Sequence, residues 1–250
     1  MSNLNGQSPS TIQVVRTGWI EYLPAWDLQR ALVAARRRDA VPDLLLLVEH
    51  PPTYTVGRSG SRSNLLIGDA MLTAVGATCY EIDRGGDITF HGPRQLVVYV
   101  ILDLGRRQRR VRRYVEMLET VVIDTLHEYG LEGAIDPERP GVWIGRDKVA
   151  ALGIAISHGV TYHGFALNVD PDLRYFEYMI PCGIPDRGAT SITRQIGRAV
   201  TVEDAEARVV RCFSRIFEME PRYDLSLADL QQLAAGAAVP GADLILRTRE

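Results

Sequence analysis

Lys148 is the only lysine in this chain, and every other basic side chain is an arginine. Where positive charge alone suffices, this sequence uses a guanidinium, which does not give up its proton near neutral pH. An ammonium can do so once desolvated. The retained lysine is therefore a candidate for proton transfer, against the plain alternative of one lysine left over on the surface. A second reactive group is Cys182, held between Pro181 and Gly183 with Pro185 close behind. A stiff loop of this kind can expose a side chain and hold it still. A thiol attacks as its thiolate, and a nearby lysine can take its proton or stabilise the anion by charge. The alternative is an incidental loop thiol. Cys79 and Cys212 sit in more apolar stretches and read as small core hydrophobes. A third segment runs from Arg84 to Gln95. Gly85 and Gly86 permit close backbone approach, Thr89 and His91 add polar groups, and Gly92-Pro93 makes a rigid turn. No Gly-Lys-Ser/Thr and no GxGxxG follow, so neither a phosphate loop nor a dinucleotide fingerprint is present. The five histidines form no HxxxH pair, and nothing calls for a metal or another cofactor.

These residues need a rigid support. Residues 141–156 alternate and read as two strands joined by a Gly-Arg-Asp turn, which puts Lys148 at the start of a strand. Further strands are expected over 11–15, 44–48, 78–82, 96–102 and 165–169, with 142–144, 149–156 and 165–169 forming an antiparallel meander. Helices are expected over 24–38, opened by Pro24, and from Val111 to a stop at Gly130. Two late helices are expected over 202–218 and 225–233. Strands dominate the first two-thirds and helices the end, so the class is α+β rather than a regular alternation. Residues 1–10 are expected to be disordered, 11–233 to form a single catalytic domain with a smaller C-terminal part from about 185, and 234–250 to be a loose tail. At 46% hydrophobic and 24% charged the chain can bury a sizeable core, and a net charge of -3 offers no general attraction to nucleic acid. The longest strongly apolar run, 44–48, is far short of a membrane span. An odd number of cysteines without CxxC spacing, and no signal pattern at the N-terminus, point to the reducing cytoplasm.

Four segments in order resemble the lipoyl(octanoyl) transferases: Arg84-Gly-Gly with Thr89-Phe-His-Gly-Pro and Gln95; Lys148-Val-Ala-Ala-Leu-Gly153; His163-Gly-Phe-Ala-Leu-Asn168; and Pro181-Cys-Gly-Ile184. The resemblance runs from about His50 to Ser191. It implies a mixed sheet flanked by helices, like the catalytic domain of biotin and lipoate protein ligases. It also implies transfer of an octanoyl group from octanoyl-acyl carrier protein to a lysine of lipoyl domains, those of 2-oxoacid dehydrogenase complexes and the glycine cleavage H protein. The family's acyl-thioester cysteine falls on Cys182, and the lysine that lowers its pKa on Lys148. Its substrate-binding stretches fall on Arg84, Gly85, Gly86, Asp87, Ile88, Thr89, Phe90 and His91; on Ala151, Leu152 and Gly153; and on Gly164, Phe165 and Ala166. Arg94 departs from the pattern, standing where the family carries a second glycine after His-Gly-Pro. It is expected to be a tolerated position with an outward side chain, not one that demands a positive φ.

Two other functions compete. An ATP-dependent lipoate or biotin ligase of the same fold would use Lys148 for the carboxylate and phosphate but has no need of Cys182. A non-catalytic binder of acyl carrier protein needs neither. The glycines at 85, 86 and 153 are expected to leave room for a C8 chain. The run 106–113, six arginines in eight residues, is either a solvated helix start or a docking surface for an acidic carrier protein.

Overall fold

The computed structural model of the chain describes residues 10–106, 110–137, 139–180 and 188–236. Its strands are β1 (Ser10–Trp19), β2 (Leu44–Glu49), β3 (Thr53–Val56), β4 (Thr78–Glu81), β5 (Ile88–His91), β6 (Gln95–Ile101), β7 (Ala134–Asp136), β8 (Arg139–Ile144), β9 (Asp147–Ser157), β10 (Val160–Asn168) and β11 (Met219–Arg222). Its α-helices are α1 (Tyr22–Arg37), α2 (Asp69–Ala74), α3 (Val111–His127), α4 (Ile192–Ile196), α5 (Val202–Phe217) and α6 (Leu227–Gly236), with 3-10 turns at Arg62–Asn64 and Leu173–Tyr178.

Eight strands form one sheet in the order β11-β1-β2-β6-β10-β9-β8-β7, and three form a second in the order β4-β3-β5. β1 pairs in parallel with both β2 and β11, and the remaining neighbours of the large sheet are antiparallel. The mixed sheet with flanking helices is the α+β architecture expected. The leucine run of β2 is buried throughout because helices cover both faces of the sheet. Alternation sends Leu45 and Leu47 to the core shared with α3 and α5, and Leu44, Leu46 and Val48 to the core under α1 and α6. A third, smaller core gathers Tyr54, Leu72, Phe90 and Met179 around the three-stranded sheet.

Several boundaries differ from the sequence expectation for identifiable reasons. α1 starts at Tyr22, so Pro24 is its third residue. A proline is tolerated there because first-turn N–H groups have no intrahelical acceptor. The strands at 78–82 and 96–102 belong to different sheets, and β5 lies between them. β3 was not expected; it is four residues long and follows two prolines. α6 continues to Gly236, while 1–9 and 237–250 fall outside the described residues. Among the described residues no helix is long and apolar enough to cross a membrane.

Candidate active site

A cavity of about 540 Å³ opens between the α1 side of the large sheet and the small sheet. Its floor is set by register. Ala151 pairs with Ala166 and Gly153 with Gly164 across β9 and β10, while Val97 and Tyr99 of β6 lie opposite Ala166 and Gly164. Four small residues in adjacent pairs leave the sheet surface low. The facing wall is largely apolar, with Ile88, Leu173, Phe176, Met179 and Ile180, and with the half-exposed Leu66.

That wall is fastened from behind. Tyr175 stacks on Phe90 at 4.7 Å between centroids. Tyr54 Oη donates to the Tyr175 carbonyl (2.7 Å), and Tyr175 Oη donates to the Val75 carbonyl (2.8 Å). Backbone bonds from Leu66 to Tyr178 and from Ile180 to Asn64, both 2.8 Å, tie 178–180 to the loop at 64–66.

Arg84, Gly86, Asp87, Ile88, Thr89 and His91 line the cavity, as do Lys148, Ala151, Leu152, Gly153, Gly164, Phe165 and Ala166. Gly85 and Phe90 do not. The Gly85 N–H is bonded to the Ile154 carbonyl, and Phe90 supports the aromatic wall. The side chain of Phe165 belongs to the core on the opposite face of the sheet. Cys182 lies outside the described residues, but Ile180 before it and Gly188 after it both border the cavity.

Arg84 is buried across the end of the cavity. Its Nη2 donates to the Thr55 carbonyl (2.6 Å) and to Thr55 Oγ1 (2.9 Å), and its Nη1 to the Gly85 carbonyl (3.0 Å). A Cβ at Gly153 would sit 2.8 Å from Arg84 Cδ, and one at Gly164 would sit 2.2 Å from the Val98 carbonyl oxygen. The missing side chain of Gly153 thus makes room for Arg84, while Gly153 itself borders the cavity.

Around Arg84 lies a buried polar cluster. His163 holds a left-handed backbone, φ 57°, a strain of the kind that collects at functional sites. Its N–H donates to Gln29 Oε1 (2.8 Å) and its Nε2 donates to Asp83 Oδ1 (2.9 Å). Burial opposes ionisation of Asp83, but hydrogen bonds from His163, Tyr162 and Trp26 prevail and hold its carboxyl down at about 2. Burial likewise pushes His163 below its ordinary value, against the pull of Asp83, so the pair is a carboxylate and a neutral imidazole. Burial also lowers His50, to about 4, and His91. Neutral His50 donates through Nδ1 to the Ile20 carbonyl (2.7 Å), and its Nε2 accepts from Tyr99 Oη (2.6 Å).

Lys148 is near the start of β9, half-buried, with Nζ 4.7 Å from the Trp143 ring centroid. Gly141, at φ 125°, leaves space for its stem: a Cβ there would lie 3.2 Å from Lys148 Cε. The backbone of Lys148 is bonded on both sides to the chain that follows the Cys182 segment. Its N–H donates to the Gly188 carbonyl, and its carbonyl accepts from the Thr190 N–H, both at 3.0 Å.

Sequence reasoning missed Tyr22, Val97, Tyr99, the wall at 173–180 and Arg194. One signal was available. Tyr22, Trp26 and Gln29 fall at i, i+4 and i+7 on the buried face of α1; Tyr22 lines the cavity, Trp26 donates to Asp83 and Gln29 accepts from His163.

Arg94 is a correction. Its φ is 61°, so this position does take the left-handed conformation that suits the family's glycine. Its side chain is exposed as expected and bonds Asp170 through Nη1 (2.5 Å), while its backbone N–H donates to Glu49 Oε2 (2.6 Å). The arginine run begins far from Lys148. Arg106 pairs with Asp39 and Asp103, and Leu104 bonds Gly159 at the β9–β10 hairpin. Lys148 and that hairpin stand at opposite ends of β9, about 30 Å apart at roughly 3.3 Å per residue.

The family model described as the lipoyl protein ligase A/B catalytic domain matches residues 21–214. An octanoyltransferase of Solibacter usitatus is 45% identical over 211 residues, covering 84% of this chain and 95% of that one. One of Rubrobacter xylanophilus is 47% identical over 201 residues, covering 80% and 90%. A mitochondrial octanoyltransferase of Arabidopsis thaliana is 41% identical over 216 residues, covering 86% and 92%. Among solved structures, a lipoate-protein ligase A bound with ATP aligns with a TM-score of 0.68 at 16% identity, over 92% of this chain and 94% of that one; the likeness is one of fold.

Proposed function

The chain belongs to the lipoyl(octanoyl) transferases within the lipoyl protein ligase A/B catalytic-domain family, and from that membership we propose that it carries octanoyl from octanoyl-acyl carrier protein to a lysine of a lipoyl domain through a thioester on Cys182. The acceptors are the lipoyl domains of 2-oxoacid dehydrogenase complexes and the glycine cleavage H protein, and the compartment is the reducing cytoplasm. The observation that carries this reading is the bonding of Lys148 to Gly188 and Thr190, since it ties the lone lysine to the chain that bears Cys182. Ile180 borders the cavity two residues before the thiol, and two residues of chain reach at most about 7 Å.

The chemistry balances without ATP. Lys148 takes the proton of Cys182, and the thiolate attacks the donor thioester and expels the carrier thiolate, which picks up that proton. This exchange of one thioester for another is nearly isoenergetic. The acceptor amine then attacks the enzyme thioester, Cys182 leaves, and an amide forms downhill. Lys148 accepts the proton lost by the amine. Each half passes through a tetrahedral oxyanion, which needs backbone N–H donors. β8 stops pairing at Ala150, so beyond it the cavity-lining backbone of 151–153 has an edge that β8 does not cover. The apolar wall and low floor suit an aliphatic chain.

Intact-mass analysis after exposure to octanoyl-acyl carrier protein tests the proposal. Wild type should gain one octanoyl group, and Cys182→Ala none. Transfer from free octanoate that requires ATP would overturn it in favour of a ligase.

A further inference from the structure

Asn168 ends β10 and is buried, 3% exposed. Its amide faces two carbonyls on different segments: Nδ2 donates to the Thr190 carbonyl at 2.9 Å and lies 3.5 Å from the Lys148 carbonyl. Those are the strands that already share the two backbone bonds of Lys148, and Lys148 and Ala189 form a parallel bridge. The other end of the amide is held as well. Asn168 Oδ1 accepts from Gln95 Nε2 (2.9 Å), which also donates to the Phe90 carbonyl (3.0 Å), and Gln95 Oε1 accepts from His91 Nδ1 (3.0 Å). Thr190 is anchored in turn by Gln195, whose Nε2 donates to its Oγ1 (2.8 Å).

We propose that Asn168 is a positioning residue for acyl transfer, setting the distance between Lys148 and the chain at 188–190 by clamping both carbonyls from a third strand. The inference rests on the reading of Lys148 given above. Proton transfer requires heavy atoms within about 2.6–3.2 Å, and the long flexible side chain between the Lys148 backbone and its Nζ amplifies any slack in that backbone. Asn168 borders the cavity but meets Lys148 at its backbone carbonyl, so its loss should reduce the chemical step more than donor binding.

The test compares wild type, Lys148→Ala, Asn168→Ala and Asn168→Ser in steady-state transfer from octanoyl-acyl carrier protein and in the pH profile of Cys182 alkylation by iodoacetamide. Asn168→Ala should lower kcat about 10- to 100-fold, leave KM within about twofold, and move the alkylation profile toward that of Lys148→Ala. Asn168→Ser keeps one donor and should fall between. Wild-type kcat and an unmoved profile in Asn168→Ala overturn the inference, however far its Tm drops. If that variant does not fold, the serine variant decides by the same readouts. If Lys148→Ala itself behaves as wild type, the reading of Lys148 fails and the role of Asn168 with it. If only the Asn168 variants are unmoved, the inference falls alone.

Discussion

Arg84 occupies the space that a side chain at Gly153 would take: a Cβ there would lie 2.8 Å from Arg84 Cδ and 3.0 Å from the Gly85 carbonyl oxygen. Arg84 is pinned to Thr55 by its guanidinium, so it cannot yield cheaply. Gly153→Ala should therefore lower stability by about 1–3 kcal/mol, the usual cost of overpacking, and weaken binding of an octanoyl thioester by displacing Arg84. Urea denaturation and equilibrium binding check both effects; an unchanged midpoint with unchanged affinity would show that Arg84 moves freely.

Arg94 gives the opposite sign. A left-handed backbone costs a non-glycine residue about 1–2 kcal/mol, while its exposed pair with Asp170 returns about 0.2–1 kcal/mol. Arg94→Gly should raise the denaturation midpoint, by up to roughly 1 kcal/mol in stability. A lower midpoint would mean that the bonds to Asp170 outweigh the strain.

The thiols should separate by reactivity. Burial raises the pKa of Cys79 and of Cys212, so both stay protonated and slow near neutral pH. Iodoacetamide at pH 7 should label Cys182 first, read by peptide mass. Cys182→Ala or Cys182→Ser should abolish transfer, with ping-pong kinetics in wild type. Cys79→Ala and Cys212→Ala should keep turnover at a stability cost of about 1 kcal/mol. Full activity in Cys182→Ala would end the thioester mechanism.

Lys148→Arg and Lys148→Ala separate charge from proton transfer. If Lys148 moves protons, arginine should be nearly as inactive as alanine, a loss of about 10²–10⁴-fold in turnover. A larger planar head must also fit beside Trp143 and Gly141, so the alkylation profile of Cys182 is read in parallel. Wild-type turnover and alkylation in Lys148→Arg would make the residue a charge and nothing more.

Acid should unfold the protein through its buried imidazoles. A histidine whose folded pKa is depressed contributes stability that is complete above its unfolded value and lost as pH falls through the folded one. For His50 that window runs from 6.5 down to about 4, worth on the order of 3 kcal/mol; His91 and His163 shift the same way. Asp83 adds no slope there, because its own contribution is lost lower, between 3.8 and about 2. Stability should thus decline below about pH 6.5, and His50→Gln should flatten the decline. A level curve down to pH 4.5 would contradict this.

The motif residues were legible because each is written in a short local pattern: a glycine pair, a lone lysine, alternation along β9. Their partners were not. Thr55, which holds Arg84, lies 29 residues away on a strand of four residues, too short to give a periodic signal. The tie between Lys148 and Thr190 crosses 42 positions, and no spacing rule encodes it. Arg94 misled because side-chain exposure was legible while the backbone conformation was not; the glycine of the family was the better guide to φ.

The paired small residues of the cavity floor also limit how this enzyme can change. Gly153 is locked by Arg84 and Gly164 by the Val98 carbonyl, so neither position tolerates even one added methyl without moving its neighbours. Ala151 and Ala166 already carry the methyl that those glycines exclude, and they face each other across the same floor. Selection for a bulkier or slimmer substrate therefore has two adjustable positions on this surface and two fixed ones. Divergence among descendants should be written in the alanines while the glycines stay silent.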